Sequence, residues 1–337
     1  MVLDGKMGPL ARSGVVALIA MSVVAFAGAT ARADEVEQEE IVVGEEVVQP
    51  AAAPCPECDV NNGMVSFAMG VDITTAYYFR GIVQEKYGFI AQPWGEVTFT
   101  LWEAEENSNS FVTDFTGTLG TWNSVQSNKT GSPMDGTGPG NWYESDIYGG
   151  FGIGMEHGLG LGVNYIAYTS PNNAFGTVQE LDADISWDDS TLYGGEMQNL
   201  GFGINPYALF AFELDKNSFP LHDEEGIYVE VGAEPSVELM SDSDYPIGIG
   251  VPLTVGLSLS DYYAVSGVSD DTFGFFQAGL STSVGLGFVP PEYGSLSAGL
   301  AGYYIAFGNS VQDYNDAAFT TIGGSDWIGT LSLNWEY

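Results

Sequence analysis

From residue 63 onward the chain alternates apolar and polar positions with a period of two, in windows of about 10 to 15 residues broken by turn-forming residues. In 64–74, Val65, Phe67, Met69, Val71 and Ile73 share one side, and Ser66, Ala68, Gly70, Asp72 and Thr74 the other. In 177–187, Leu181, Ala183, Ile185 and Trp187 oppose Glu180, Asp182, Asp184 and Ser186. In 227–239, Ile227, Val229, Val231, Ala233, Pro235, Val237 and Leu239 oppose Tyr228, Glu230, Glu234 and Glu238. Such windows predict about 12 antiparallel strands, within a range of about 10 to 14. They fall at 64–79, 88–102, 110–122, 143–155, 159–169, 176–187, 200–214, 226–239, 246–260, 272–288, 294–307 and 325–337. Connections near 123–142, 215–225, 261–271 and 308–324 are long, and those at 156–158 and 289–293 are tight. Long loops at one end, tight turns at the other and an even strand number describe an all-β transmembrane barrel over 63–337. The linker 188–199 is longer than a tight turn should be. A soluble β-sandwich also alternates, but it does not normally string this many long strands together with so few lysines on the exposed face.

The cost of burying charge in lipid decides which side faces out. A basic side chain at the bilayer midplane costs about 2–4 kcal/mol and an acidic one less, so the Val, Ile, Leu and Phe side meets acyl chains. Aromatics cluster at strand ends, at Tyr77, Phe79, Phe99, Trp102, Trp187, Trp327, Trp335 and Tyr337, and those on the apolar side would then form interfacial girdles. The opposite side carries Asp72, Glu96, Asp114, Glu144, Asp146, Glu180, Asp182, Asp184, Glu213, Glu230, Glu234 and Glu238, and parity sends one base, Arg80, the same way. From that set Asp72, Arg80, Glu96, Asp114, Asp146, Glu180, Asp182, Asp184, Glu230 and Glu234 are the candidate pore lining. Charged rings set ion selectivity in pores, so a hydrated lumen of this kind would prefer small cations. Inward Trp94, Trp102, Tyr148 and Tyr207 could narrow it. Arg80 either pins the rim by pairing with an acid such as Glu96 or Asp114, or interrupts an acidic path, while Gly81 lets the chain turn.

Composition sharpens this picture. Seven Lys and Arg stand against 45 Asp and Glu, a net charge of -38, yet hydrophobic residues make up 45% and aromatics 13%. Disordered acidic chains are poor in both, so this one folds. The charge excludes nucleic acid as a partner, since binding it needs basic side chains on phosphates. Lys6 and Arg12, the apolar run "GVVALIAMSVVAFAGA" and "ARA" at 31–33 read as an exported signal peptide over 1–33. The run is shorter than the roughly 20 residues a helical span needs. Cleavage there removes Lys6, Arg12 and Arg32 with Asp4, leaving 4 bases against 44 acids. Residues 34–62 are an acidic, then Ala/Pro-rich, segment expected on the periplasmic side.

Other candidate chemistry is sparse. Cys55 and Cys58 in "CPEC" form a local disulfide or are incidental thiols, because neither a second CxxC nor a nearby His completes a zinc site. "EEIVVGEE" at 39–46 looks slightly like an energy-coupling box, but the chain is far too short for the receptors that use one. An outer-membrane hydrolase would need His157, in a tight turn, or His222, beside Asp223, Glu224 and Glu225. The loops "SDSDY" and "SGVSDD" could offer oxygen ligands to Ca²⁺, as on a structural barrel that binds partners without conducting. No enzyme activity and no cofactor are expected.

Two segments carry resemblances. The final strand "WIGTLSLNWEY", with Trp335 and Tyr337 in its apolar parity, resembles the C-terminal signal that the barrel-assembly machinery reads. "MGVDITTAYYFRGIVQEKYGFIAQPWGEVTF" is similar to a family of outer-membrane porins, the TorF-like or Gcw-type proteins, through Tyr77, Phe79, Arg80, Gly81, Ile82, Gln84, Gln92 and Pro93. Thr75 stands where that family usually has Ser. The similarity covers about 30 residues, and the acidic N-terminal segment is not part of the family pattern. It implies an exported barrel in the outer membrane, in contact with its lipid, with a porin role and no defined solute.

Overall fold

A computed structural model describes residues 64–105, 110–128, 140–214, 225–264, 271–318 and 322–337. The expected signal peptide, the segment 34–62, Cys55, Cys58 and His222 lie outside them. Among the described residues sixteen strands are present: β1 Val65–Thr74, β2 Tyr77–Phe79, β3 Ile82–Glu85, β4 Ile90–Glu103, β5 Val112–Gln126, β6 Trp142–Met155, β7 Leu159–Thr169, β8 Val178–Trp187, β9 Pro206–Glu213, β10 Ile227–Ala233, β11 Ser236–Leu239, β12 Ile247–Gly250, β13 Leu253–Ser260, β14 Phe273–Gly285, β15 Ser295–Phe307 and β16 Ser325–Glu336. One α-helix, α1, is present among the described residues and spans Asn309–Ala318.

Fourteen of the strands form one antiparallel sheet, and it closes on itself. β1 pairs with β4 on one side and with β16 on the other, Val71 facing Pro93 and Leu333, while β14 pairs with β15. β10 with β11, and β12 with β13, are each one stave broken at a proline. Pro235 and Pro252 have no N–H to give the ladder, so pairing lapses there and resumes. The ring therefore has twelve staves, in agreement with the alternation pattern. Twelve strands at the usual spacing, tilted about 40°, give a backbone radius of roughly 12 Å.

The two faces are sorted as the period-two pattern requires. Met69, Leu119, Ile147, Phe151, Val163, Leu280, Leu300 and Leu331 are exposed around the outside, and Phe99, Trp187, Trp327 and Tyr337 lie towards strand ends on that side. A continuous apolar belt around a closed ring is far beyond what a soluble monomer leaves in water. The inner face is polar. Glycines there make room for it: a Cβ on Gly162 would lie 2.2 Å from Asp184 Oδ1, and one on Gly150 1.9 Å from Asn164 Oδ1.

Three expectations fail. The first strand ends at Thr74, not near 79, and Tyr77 and Phe79 are not in an outer girdle but fully buried. At Thr75 the backbone N–H bonds Gly329 O and the chain then leaves the ladder, so the outward parity is not carried further. Trp102 points outward and is 48% exposed, because a register shift between Thr100 and Trp102 inverts the parity at the end of β4. The long linker after β8 does not disturb the strand count. It folds at the end of the barrel where residue 337 lies, around Asp189, whose Oδ1 accepts from the backbone N–H of Ile204 (2.7 Å) and Asn205 (3.0 Å) and whose Oδ2 accepts from Tyr193 (2.8 Å).

Candidate functional site: the barrel interior

The first long connection turns inward. β2 and β3 pair only with each other, as a small hairpin outside the main sheet. Its turn is Arg80 and Gly81, both left-handed at φ 44° and 86°. Glycine suits that conformation; arginine does not, so its side chain must be why it is there. The hairpin touches wall residues on nearly every side. Tyr77 packs on Trp122 of β5 and bonds Glu144 of β6 at 2.6 Å. Phe79 meets Tyr168 of β7 edge-on, and Arg80 reaches Glu180 of β8 and Tyr228 of β10. A Cβ on Gly81 would meet Phe275 of β14 at 2.9 Å. Tyr78 stacks on Phe307 of β15 and bonds Asp326 of β16 at 2.5 Å. A segment that contacts β5, β6, β7, β8, β10, β14, β15 and β16 together lies inside the ring, across its mouth.

Three further pieces hold the hairpin. Asn315 of α1 brackets it: Oδ1 accepts from Val83 N–H and Nδ2 donates to Gly81 O, both at 2.9 Å. Beside it, burial pushes the Tyr314 phenol up to about 12, leaving it an uncharged neighbour. Tyr263, from the loop after β13, donates to Arg80 O at 2.9 Å, and Tyr143 of β6 donates to Gln84 at 2.6 Å. At the hairpin's exit Glu85 Oε1 accepts from the N–H of Lys86 and Tyr87, and the Lys86 ammonium reaches Asp326 at 2.5 Å.

Below the hairpin the interior is acidic. All ten candidate pore residues, Asp72, Arg80, Glu96, Asp114, Asp146, Glu180, Asp182, Asp184, Glu230 and Glu234, are buried on the inner side, as are Glu144 and Glu213; Glu238 is half-buried. β8 places Glu180, Asp182 and Asp184 in a row, and β9 places Glu213 directly opposite Glu180. Like charges in direct opposition are destabilising. Arg80 offsets that pair, not Glu96 or Asp114: it binds Glu180 at 2.8 and 3.0 Å and lies within electrostatic reach of Glu213. Of the two Lys and Arg side chains described, Arg80 is buried and Lys86 partly exposed. Four of the inner carboxylates, Glu96, Glu144, Glu180 and Glu230, take donors from tyrosine. Tyr148 bonds Glu96 at 3.2 Å, Tyr168 bonds Glu180 at 2.8 Å, and Tyr207 at 2.9 Å and Tyr228 both bond Glu230. Ser281 bonds Glu234 at 2.9 Å and Thr113 bonds Asp114 at 2.7 Å. In a chain this poor in bases, neutral hydroxyl donors satisfy buried carboxylate oxygens without adding charge.

The residues missed in the sequence are those that hold the hairpin: Tyr168, Tyr228, Tyr262, Tyr263, Asn315 and Asp326. "DYY" at 261–263 was a visible signal, an aromatic pair in a loop, but nothing local shows that it faces inward. Among the described residues, no group of three or more His, Cys, Asp or Glu is placed to hold a metal ion. His157 sits in the tight turn between β6 and β7 at φ 66°, its carbonyl bonded by Trp187 Nε1.

A closed antiparallel ring with an apolar outside and a polar, charged inside defines a transmembrane β-barrel. Solved structures of this class resemble it in outline. A NanC porin aligns over 80% of this chain and 98% of its own at 8% identity and a TM-score of 0.35. The transport unit of the autotransporter AIDA-I from Escherichia coli aligns over 98% and 99% at 10% identity and 0.36. A bacterial polysaccharide outer-membrane secretin aligns over 81% and 98% at 10% and 0.33. At such values the likeness carries no argument, and the barrel assignment rests on the ladder and its two faces. No family model matches the sequence, and no curated protein does.

Proposed function

We propose that this chain is an outer-membrane channel for small solutes that prefers cations, with the inward hairpin closing its mouth at rest. The observation that carries the reading is the inner face, where acids from β1, β4, β5, β6, β8, β9 and β10 are buried together and Arg80 is the one buried Lys or Arg among the described residues. An ion path lined this way attracts cations and repels anions. The similarity of the Tyr77–Pro93 segment to the TorF-like or Gcw-type porins supports the same role. In this reading residues 34–62 face the periplasm and the hairpin end faces outward. Trp335 and Tyr337, on the last strand, contribute to recognition by the barrel-assembly machinery.

Reversal potentials of the purified protein in a planar bilayer under a KCl gradient test this. A sign set by K⁺, reduced by Asp182→Asn together with Asp184→Asn, is the expected result. Anion preference, or no current from either the full chain or a variant without residues 77–85, overturns it. One observation favours a second reading, a barrel that does not conduct: Asp146, Glu180 and Asp182 have no surface open to water, beneath a hairpin that crosses the mouth. The hairpin deletion separates the two, since a purely structural barrel stays silent without it.

A further inference from the structure

The seat of Arg80 is built by the wall strands β8 and β10 and by the loop after β13. Glu180 takes the guanidinium with both oxygens, Nη1 to Oε1 at 2.8 Å and Nη2 to Oε2 at 3.0 Å. Nη1 also donates to the Tyr262 hydroxyl at 2.7 Å. The guanidinium carbon lies 4.3 Å from the centre of the Tyr228 ring and 5.3 Å from that of Tyr262. Tyr168 donates to Glu180 Oε2 at 2.8 Å and so fixes the carboxylate's orientation. Of the groups around the cation, Phe79, at 4.8 Å, belongs to the hairpin and would leave with it.

This chemistry is selective. A planar pair of acceptor oxygens matches two parallel N–H groups, and aromatic faces favour a flat, weakly hydrated cation over a compact, strongly hydrated one. Without Arg80 the site would keep Glu180, with Glu213 opposite it on the next strand. It would remain a negatively charged cage of the right shape.

We propose that this cage is a guanidinium-binding site that the chain fills with its own Arg80, and that this occupancy latches the hairpin across the mouth. The binding half stands on the cage alone; the latch rests on the channel reading given above. The left-handed backbone at Arg80 fits the proposal, since a side chain kept at a conformation disfavoured for it is one held by what it binds.

The test uses the full chain purified in detergent and the variant Arg80→Gly, which removes the side chain but keeps the turn. Melting is followed with low-millimolar guanidinium chloride, with sodium and ammonium chloride as controls. The variant should melt lower than the parent. Guanidinium should then raise its Tm in a saturable way that sodium and ammonium do not match, and should leave the parent unchanged. Adding Glu180→Gln should abolish the rise. No guanidinium-specific rise, or a rise that survives Glu180→Gln, overturns the site. Should Arg80→Gly not fold, Arg80→Lys carries the test, because an ammonium cannot fill both carboxylate oxygens and the ring faces. Guanidinium must then raise its Tm above the parent's response, and equal responses overturn the site. Planar-bilayer current separates the two halves. A several-fold higher mean conductance for Arg80→Gly supports the latch. Equal conductance in parent and variant overturns the latch alone. Silence from both, and from the variant without residues 77–85 as well, overturns the channel reading and the latch, and leaves the site to the melting data.

Discussion

Leucine 331 offers a direct measurement of which face meets lipid. It is the seventh of the twelve residues of β16, points outward at 52% exposure, and is flanked in the ladder by Ile73 and Leu300. Twelve residues at about 3.4 Å each, tilted about 40°, rise roughly 30 Å, close to the 25 Å apolar band of such barrels. Leu331 then lies within a few Å of the bilayer midplane, and Trp327 and Trp335 lie nearer the two interfaces. Arginine at the midplane should cost about 2–4 kcal/mol, against about 0–1 near an interface. That is about a 30- to 700-fold loss in the folding equilibrium at 331, and at most several-fold at 327 and 335. Each arginine variant is compared with alanine at the same position, so that loss of the native side chain cancels. Equilibrium denaturant titration in lipid vesicles, followed by tryptophan fluorescence, reads the difference. A peaked profile centred on 331 is expected. An Arg-to-Ala difference under about 0.5 kcal/mol at 331 is what a water-facing position gives, and it would refute the membrane-spanning assignment.

Three other outcomes follow from the interior. Glu180→Gln leaves the buried Arg80 guanidinium without its carboxylate and should lower stability by about 3–5 kcal/mol, read by thermal melting in micelles; a loss under about 1 kcal/mol would show that the cation is already solvated. Asn315→Ala unpairs Val83 N–H and Gly81 O, each worth about 1–3 kcal/mol when buried and unsatisfied, so the Val83 amide should exchange with deuterium far faster, and an unchanged rate contradicts the bracket. Gly81→Ala, at φ 86° and facing Phe275, should cost about 1–3 kcal/mol, whereas Gly302→Ala, which meets nothing within 4 Å, should stay within about 0.5 kcal/mol; equal effects would show that the turn is not constrained.

The sequence was most informative where its signal is periodic. Each stave has one face in lipid and one in the lumen, and a strand alternates its side chains with period two. The positions of the twelve staves, the inward acids from Asp72 to Glu234 and the outward belt of Met69, Phe99, Leu300 and Leu331 could all be read from it. The inversion at Trp102 could not, because an extra residue in the ladder leaves no mark on composition. The prolines that split two staves, Pro235 and Pro252, were visible, but whether pairing resumes past them depends on neighbouring strands.

The hairpin belongs wholly to tertiary structure. "AYYFRGIVQE" continues the alternation of the first strand, so Tyr77 and Phe79 inherit an outward parity on paper. Whether a chain leaving the ladder at Thr75 turns to solvent or into the bore is decided by what it meets there. Those partners, Glu144, Tyr168, Glu180, Tyr228, Tyr263 and Asn315, lie between 67 and 234 residues further along and come together only when β1 pairs with β16 and the ring closes. The alternation alone determined a barrel with an acidic interior. Closure determined that Arg80, the one buried arginine among the described residues, has a seat on the far wall, because only a closed ring brings opposite walls within reach of a single side chain.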